Sequence, residues 1–313
     1  MALLAISGLI VAFMSLRSRS FVERPPAHPI PVPTQMRVKA SDKVRPKPRA
    51  DQSETNVSAA VAIICGLDDA TADRYEERNN ALRSIARRRD VAPNDVRTLM
   101  AYLRATNDTL RVERTAALKN DILNLLRNQE PMPDGLAEML VGMFSSGRYP
   151  AAILDYCIQH LGAMQNDVAD EPLRERIRSV FVWAAKRTDR TFAGTALYAL
   201  ADDRQATPPQ KNQLRQLTVA ACGTNAHQIV RMAAIQLAGQ RGYDEVLPLL
   251  RRHLSSPRRD AVADIVAIGS VGLLGGTDDL PLLEELRANG GVRLRPAIDT
   301  AIGRIATKEE SRK

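Results

Sequence analysis

A block of about 33 residues recurs near the end of the sequence, and this recurrence limits the folds open to the chain. Ala234-Ile235 lies 33 residues before Ala267-Ile268, and Ala301-Ile302 follows after a further 34. Pro248 likewise lies 33 residues before Pro281. Each copy is typical of a helix, a glycine-rich turn and a second helix that opens with acids and L-P-L-L. Because two short helices cannot bury their apolar faces alone, we expect the copies to stack around one shared core.

Helical periodicity extends over the whole of residues 51–313. Apolar residues recur at spacings of three and four, and no long alternation of apolar and polar residues predicts a strand. Several prolines precede amphipathic runs, where the first-turn N–H groups have no helical partner. Thr207 before Pro208 and Ser256 before Pro257 are good N-caps. Glycines mark the predicted helix ends, at Gly239, Gly242, Gly275, Gly276, Gly290 and Gly291. We therefore predict about a dozen helices joined by short turns.

The repeated positions point to one family of helical repeats. They are Val230-Arg231, Ala234, Leu237, Gly239, Asp244 and Leu247-Pro248-Leu249-Leu250. These residues resemble HEAT-like repeats of the short, phycobilin-lyase type. The resemblance is strong over residues 225–307 and weak over 70–222, and residues 171–190 lack the glycine turn. It implies an all-α, right-handed α-solenoid of HEAT/armadillo-like helical pairs whose surface binds another macromolecule, and it carries over no catalytic residue.

Two segments of different character precede the repeats. Residues 1–16 contain no charged side chain, and we interpret them as a short apolar helix that serves as an N-terminal membrane anchor or signal-like segment. Residues 17–50 hold seven of the 18 prolines, nine Lys or Arg and two acids. This composition predicts a disordered, Pro-rich basic linker. Residues 51–313 then form the predicted HEAT-like α-solenoid.

The charges that follow the apolar segment bear on its topology. Arg17, Arg19 and Arg24 come directly after it, and short basic flanks favour the cytoplasmic side of a membrane. They indicate a single-pass N-terminal anchor with the solenoid in the cytoplasm. A cleaved signal peptide and an exported, periplasmic solenoid are the alternatives.

The overall charge of +8 is concentrated outside the repeats. Residues 51–313 carry 35 basic and 34 acidic side chains, which excludes a uniformly basic nucleic-acid binder. The 44% of hydrophobic residues excludes a chain that is disordered throughout. Cys65, Cys157 and Cys222 are too few and too far apart for a disulfide framework or a zinc cluster.

Two groups of residues suggest chemistry, and each has a simpler interpretation. Cys157 and His160 share a helix face near Asp155, but a metal site needs further ligands, so we favour a core cysteine beside a polar residue. Trp183 and Asp189 could serve a HEAT-like enzyme of the DNA base-excision or lyase type, with an aromatic wall and a carboxylate. Packing of Trp183 and an inter-helix turn at Asp189 is the interpretation we favour.

Basic clusters support a third hypothesis, a nucleic-acid-binding scaffold. They occur at Arg87-Arg88-Arg89, Arg251-Arg252 and Arg258-Arg259. Acids are equally abundant nearby, so solvated helix ends with ion pairs are the favoured interpretation.

The sequence as a whole predicts a membrane-tethered HEAT-repeat scaffold or adaptor that binds another protein non-covalently through its solenoid surface. We expect no catalytic, cofactor-binding or metal-binding residue, no small-molecule substrate and no nucleic-acid partner. The HEAT-like enzyme and the nucleic-acid-binding scaffold remain as alternatives.

Overall fold

The chain is helical, with no strand, throughout the part that the structure describes. The computed structural model describes residues 56–67, 73–106, 110–223, 225–256, 260–289 and 291–311. The predicted all-α fold is confirmed there. The fourteen α-helices of these residues are α1 (Val57–Ile64), α2 (Tyr75–Ile85), α3 (Pro93–Arg104), α4 (Val112–Arg127), α5 (Leu136–Ser146), α6 (Ala151–Met164), α7 (Glu171–Ala185), α8 (Phe192–Asp202), α9 (Pro208–Ala221), α10 (Gln228–Arg241), α11 (Leu247–Leu254), α12 (Ala261–Leu274), α13 (Leu280–Asn289) and α14 (Arg295–Glu310).

The helices pack in two rows. Each even-numbered helix from α2 to α14 packs against the next even-numbered one. Among the odd-numbered helices, α1, α3, α5 and α7 form a similar series, and α11 packs against α13. Neighbours in sequence pack across the rows, so the apolar core lies between them. This arrangement is compatible with a helical-repeat solenoid.

The three alanines of the sequence repeat occupy equivalent places in the even-numbered row. Ala234 lies in α10, Ala267 in α12 and Ala301 in α14, and each is 0% exposed. The 33- to 34-residue recurrence therefore corresponds to one step along the row.

Small residues allow the even-numbered helices to approach one another closely. A Cβ atom at Gly272 of α12 would lie only 2.7 Å from the Cα atom of Ala301 in α14. A Cβ atom at Gly239 of α10 would lie 3.1 Å from the Cα atom of Ser270 in α12. The Ser270 hydroxyl donates a hydrogen bond of 3.0 Å to the Ile235 carbonyl of α10. Two similar contacts precede these along the row, between Gly162 and Ala199 and between Gly194 and Ala233.

Several helix ends follow the sequence signals, and two do not. The Thr207 backbone N–H donates to Gln210 Oε1 at 2.8 Å at the start of α9, and Gly242 ends α10 with φ of 72°. Gly239, predicted to mark a helix end, lies inside α10 because it is the contact point with Ser270. The predicted N-cap at Ser256 is also wrong, because α12 is capped by Asp260, whose carboxylate accepts from two backbone N–H groups.

The L-P-L-L segments begin in the same way in both copies. Short 3₁₀ turns at Asp244–Val246 and Thr277–Asp279 precede α11 and α13. Pro248 and Pro281 therefore occupy the second position of their α-helices, where a missing N–H leaves no helical acceptor unpaired. Pro257 and Gly290 lie outside the described residues.

Buried cations satisfy the carbonyl groups at four helix C-termini. Lys119 of α4 is 2% exposed and donates from Nζ to Leu103 O of α3 at 3.0 Å. Lys308 of α14 donates to Leu273 O of α12 at 2.8 Å. Arg78 of α2 and Arg241 of α10 do the same for α1 and α8. Cations at these positions offset both the unpaired carbonyl groups and the negative end of the helix dipole.

A second set of cations connects consecutive odd-numbered helices. We call Arg178, Arg215, Arg251 and Arg287 the arginine series; they follow one another at intervals of 37, 36 and 36 residues on α7, α9, α11 and α13. The first three each contact an acid in the turn before the next odd-numbered helix. The partners are Asp203 at 2.9 Å from Arg178, Glu245 at 2.6 Å from Arg215 and Asp279 at 2.6 Å from Arg251. Arg287 instead contacts Asp299 of α14 at 3.1 Å.

The predicted anchor at residues 1–16 and the linker at 17–50 lie outside the described residues. Among the helices that the structure describes, none has both the length and the apolar character that a membrane crossing requires.

The close contact at Gly272 predicts opposite effects for two glycine substitutions. In Gly272→Ala the added methyl group collides with Ala301, so the free energy of unfolding should fall by about 1–3 kcal/mol. Gly142 of α5 is a matched control, because a Cβ atom there meets nothing within 4 Å. Gly142→Ala should raise the free energy of unfolding by roughly 0.5–1 kcal/mol. Denaturant unfolding followed by circular dichroism measures both, and shifts of the same sign would contradict the packing described here.

Candidate functional site

The Asp155, Cys157 and His160 cluster belongs to the interior of the protein. Cys157 is 0% and His160 4% exposed on α6, and burial raises the pKa of the Cys157 thiol to about 12. Burial also raises the pKa of the Asp155 carboxyl. Within the described residues no group of three or more His, Cys, Asp or Glu side chains could hold a metal ion. A buried, protonated thiol is a poor nucleophile and a poor ligand, which agrees with a core role for Cys157.

His160 makes a single polar contact in its buried position. Its Nε2 atom lies 3.1 Å from Asn120 Oδ1 of α4, whereas the buried Nδ1 atom has no hydrogen-bond partner in the described structure. Burial, with the charge of Arg127, lowers the pKa of His160 to about 4. The neutral ring with Nε2–H donating to Asn120 is the form that fits this site.

Trp183 and Asp189 have separate partners. Trp183 is 47% exposed on α7, and its ring packs edge-on against Phe144 at a centroid distance of 5.4 Å. The guanidinium of Arg187 lies 3.9 Å above the Trp183 ring. Asp189 follows in the turn after α7 and pairs with Arg190 at 3.2 Å. These contacts place an aromatic side chain at the surface and give Asp189 a local ion pair.

The basic clusters are partly engaged with acids. Arg87, Arg88 and Arg89 are exposed after α2, and Arg89 pairs with Glu130. Arg251 donates two hydrogen bonds to Asp279, of 2.6 and 3.0 Å. Arg258-Arg259 lies outside the described residues. The arginine at Arg251 is thus committed to a structural ion pair.

The most open polar site is a groove between α3 and α5, which we call the α3/α5 groove. Its residues come from the end of α3, from α5 and from the start of α6. They are Arg104, Thr106, Met139, Gly142, Met143, Ser146, Arg148 and Tyr149. Met139 and Met143 are 8% and 3% exposed, so they form an apolar floor, while the arginines and hydroxyl groups lie at its edges.

Tyr149 fixes the geometry of the α3/α5 groove. Its hydroxyl donates a hydrogen bond of 2.7 Å to the Arg104 carbonyl, which ties the start of α6 to the end of α3. Burial raises the pKa of Tyr149, and the charges of Arg148 and Arg104 oppose that shift. Both arginines therefore lie near the same phenol. Lys119 adds a third positive charge 5.8 Å from the centre of the Tyr149 ring.

The two arginines of the α3/α5 groove are not neutralised within the described structure. Neither Arg104 nor Arg148 forms an ion pair with an acid there. Arg104 makes one weak hydrogen bond, from Nε to the Met100 carbonyl at 3.3 Å.

A second groove between α9 and α11 shows the opposite situation. It is lined by residues of α9 together with Glu245 from the turn before α11. Its arginine, Arg215, contacts Glu245 at 2.6 Å and Asp244 at 3.4 Å. The ion pair lowers the pKa of Glu245 to about 2. The chain thus supplies an acid to the arginine of the α9/α11 groove.

Sequence analysis did not identify the α3/α5 groove. Arg104 and Arg148 are far apart in the sequence, and each resembles any other surface arginine. Gly142 between two methionines on one helix was the only local signal, since a glycine there leaves room beside an apolar surface.

Comparison with known proteins finds no family model and no curated protein that matches the chain.

The low pKa of His160 predicts a pH-dependent stability. The unfolded chain binds a proton near pH 6.5, whereas the folded chain binds it only near pH 4, so stability should fall as the pH drops between these values. The loss attributable to His160 is on the order of 3 kcal/mol. Urea unfolding of the wild type and of His160→Gln at several pH values isolates it. Parallel pH curves for the two proteins would contradict the assignment.

Proposed function

We propose that this chain is a membrane-tethered, HEAT-like α-solenoid that binds another protein non-covalently. Residues 225–307 support the HEAT assignment, because their recurring alanines, L-P-L-L segments and arginine series repeat with one period. Stacked helical pairs of this kind present extended surfaces that suit macromolecular partners.

The observation that carries the binding proposal is the α3/α5 groove. Two arginines without an intramolecular acid flank an apolar floor of two methionines. Methionine adapts its shape to different partners, and arginine is enriched where proteins bind one another. The exposed Trp183, which packs against Phe144 on the same helix α5, adds a second anchor of the kind that dominates interface energetics.

The proposal includes a tether formed by residues 1–16 and 17–50, with residues 51–313 in the cytoplasm. A tether of this kind raises the concentration of the binding surface near membrane partners. The basic residues Arg17, Arg19 and Arg24 support the orientation.

Orientation is expected to be visible with a compartment reporter. A fluorescent protein that matures only in the cytoplasm, fused after Lys313, should fluoresce and sediment with membranes. Activity of a periplasm-specific reporter at the same position would contradict the cytoplasmic assignment.

Partner binding is expected to depend on the α3/α5 groove. Full-length tagged protein is cross-linked in its host cells, captured and analysed by mass spectrometry, alongside Arg104→Glu/Arg148→Glu. The matched control is Arg87→Glu/Arg88→Glu, which makes the same charge change at an exposed site on another helix. We expect a protein that the wild type and the control retain and that the groove variant loses. Capture of no protein, or equal capture by all three, would contradict the proposal.

A further inference from the structure

We propose that the α3/α5 groove is a docking site for an acidic peptide segment that carries an apolar side chain, supplied by a partner protein. This inference rests on the proposed protein-binding function and specifies the chemistry of the partner.

The arginine series shows what normally occupies such a junction in this chain. At the junctions α7/α9, α9/α11 and α11/α13, an arginine of one odd-numbered helix meets an acid from the turn before the next. At the α3/α5 junction, Arg104 and Arg148 meet no acid among the described residues. A carboxylate from another molecule would complete there the ion pair that the chain completes internally elsewhere.

The geometry of the arginines suits a carboxylate. The Tyr149 hydrogen bond to the Arg104 carbonyl holds the two chain segments together, so both guanidinium groups lie near one phenol. A guanidinium presents parallel N–H donors that match the two oxygens of a carboxylate. The hydroxyl groups of Thr106 and Ser146 at the same edge add neutral hydrogen-bonding capacity for a peptide backbone.

The floor of the groove requires more than an anion. Met139 and Met143 line it, and the missing side chain at Gly142 leaves open space beside them. An apolar side chain placed there would bury methionine surface, which a bare phosphate or a nucleic-acid backbone would leave exposed. Two arginines are also few for nucleic acid, whose non-specific binding depends on many phosphate contacts. The combination therefore favours a short segment with an acid beside an apolar residue.

The test is a selection from a random peptide library displayed on phage, using immobilised full-length protein. Enriched peptides are synthesised with a fluorescent label, and their affinities are measured by anisotropy. Four proteins are compared: the wild type, Arg104→Glu/Arg148→Glu, Gly142→Trp and Gly142→Ala. The tryptophan fills the groove, whereas the alanine adds only a methyl group in open space and controls for the loss of glycine.

We expect the enriched peptides to share Asp or Glu next to an apolar residue. The charge reversal and Gly142→Trp should each weaken their binding by at least about tenfold, as for truncation of an interface hot spot, and Gly142→Ala should leave it unchanged. Replacing the acid of the peptide by its amide should have a similar effect to the charge reversal. Circular dichroism confirms that each variant is folded; if Gly142→Trp is unfolded, the charge reversal and the amide peptide still decide.

Other outcomes overturn the inference in distinguishable ways. Enriched peptides that are neutral or basic, or that bind the charge-reversed protein equally well, would leave a protein-binding surface but remove it from this groove. Enrichment of no peptide would overturn the inference, and would reject the proposed function only if cross-linking also captured no partner. Stronger competition by a single-stranded oligonucleotide or by inorganic phosphate than by the acidic peptide would assign the arginines to phosphate instead.

Discussion

The close contact between small residues on consecutive even-numbered helices sets the spacing on which the rest of the structure depends. Gly239 and Gly272 allow the backbones of α10, α12 and α14 to approach within van der Waals contact. Packing forces fall steeply with distance, so a row that closes to this extent fixes the separation of each repeat from the next. The polar contacts that connect the repeats are possible only at that separation.

Those polar contacts supply the register that apolar burial alone does not. Burial of leucine, isoleucine and alanine is non-directional, whereas the Lys308 ammonium must reach particular carbonyl groups at the end of α12. The Arg251 and Asp279 pair similarly joins α11 to the turn before α13 with two hydrogen bonds. Each buried cation would be costly without its partner, so a shifted repeat would lose the capping contacts and leave charges buried. The series thus favours one stacking arrangement over slipped alternatives.

The sequence predicted the helical class and the C-terminal periodicity because both depend on local, repeated signals. The spacing of Ala234, Ala267 and Ala301 follows directly from one buried position per step. Gly239 was misread because a glycine that ends a helix and a glycine that receives a neighbouring helix look alike in one sequence. The α3/α5 groove could not be predicted, since it joins Arg104 to Arg148 through a tertiary contact of Tyr149.

The two rows differ in a way that explains where the grooves occur. Small residues close the gaps between even-numbered helices, and both grooves described above lie instead between consecutive odd-numbered helices. Where an acid of the next repeat reaches the arginine, as Glu245 reaches Arg215, the groove is electrically satisfied by the chain itself. At α3/α5 Glu130, in the turn before α5, pairs with Arg89 instead. The same architecture therefore stabilises itself at most of these junctions and leaves one junction with charge available to a partner.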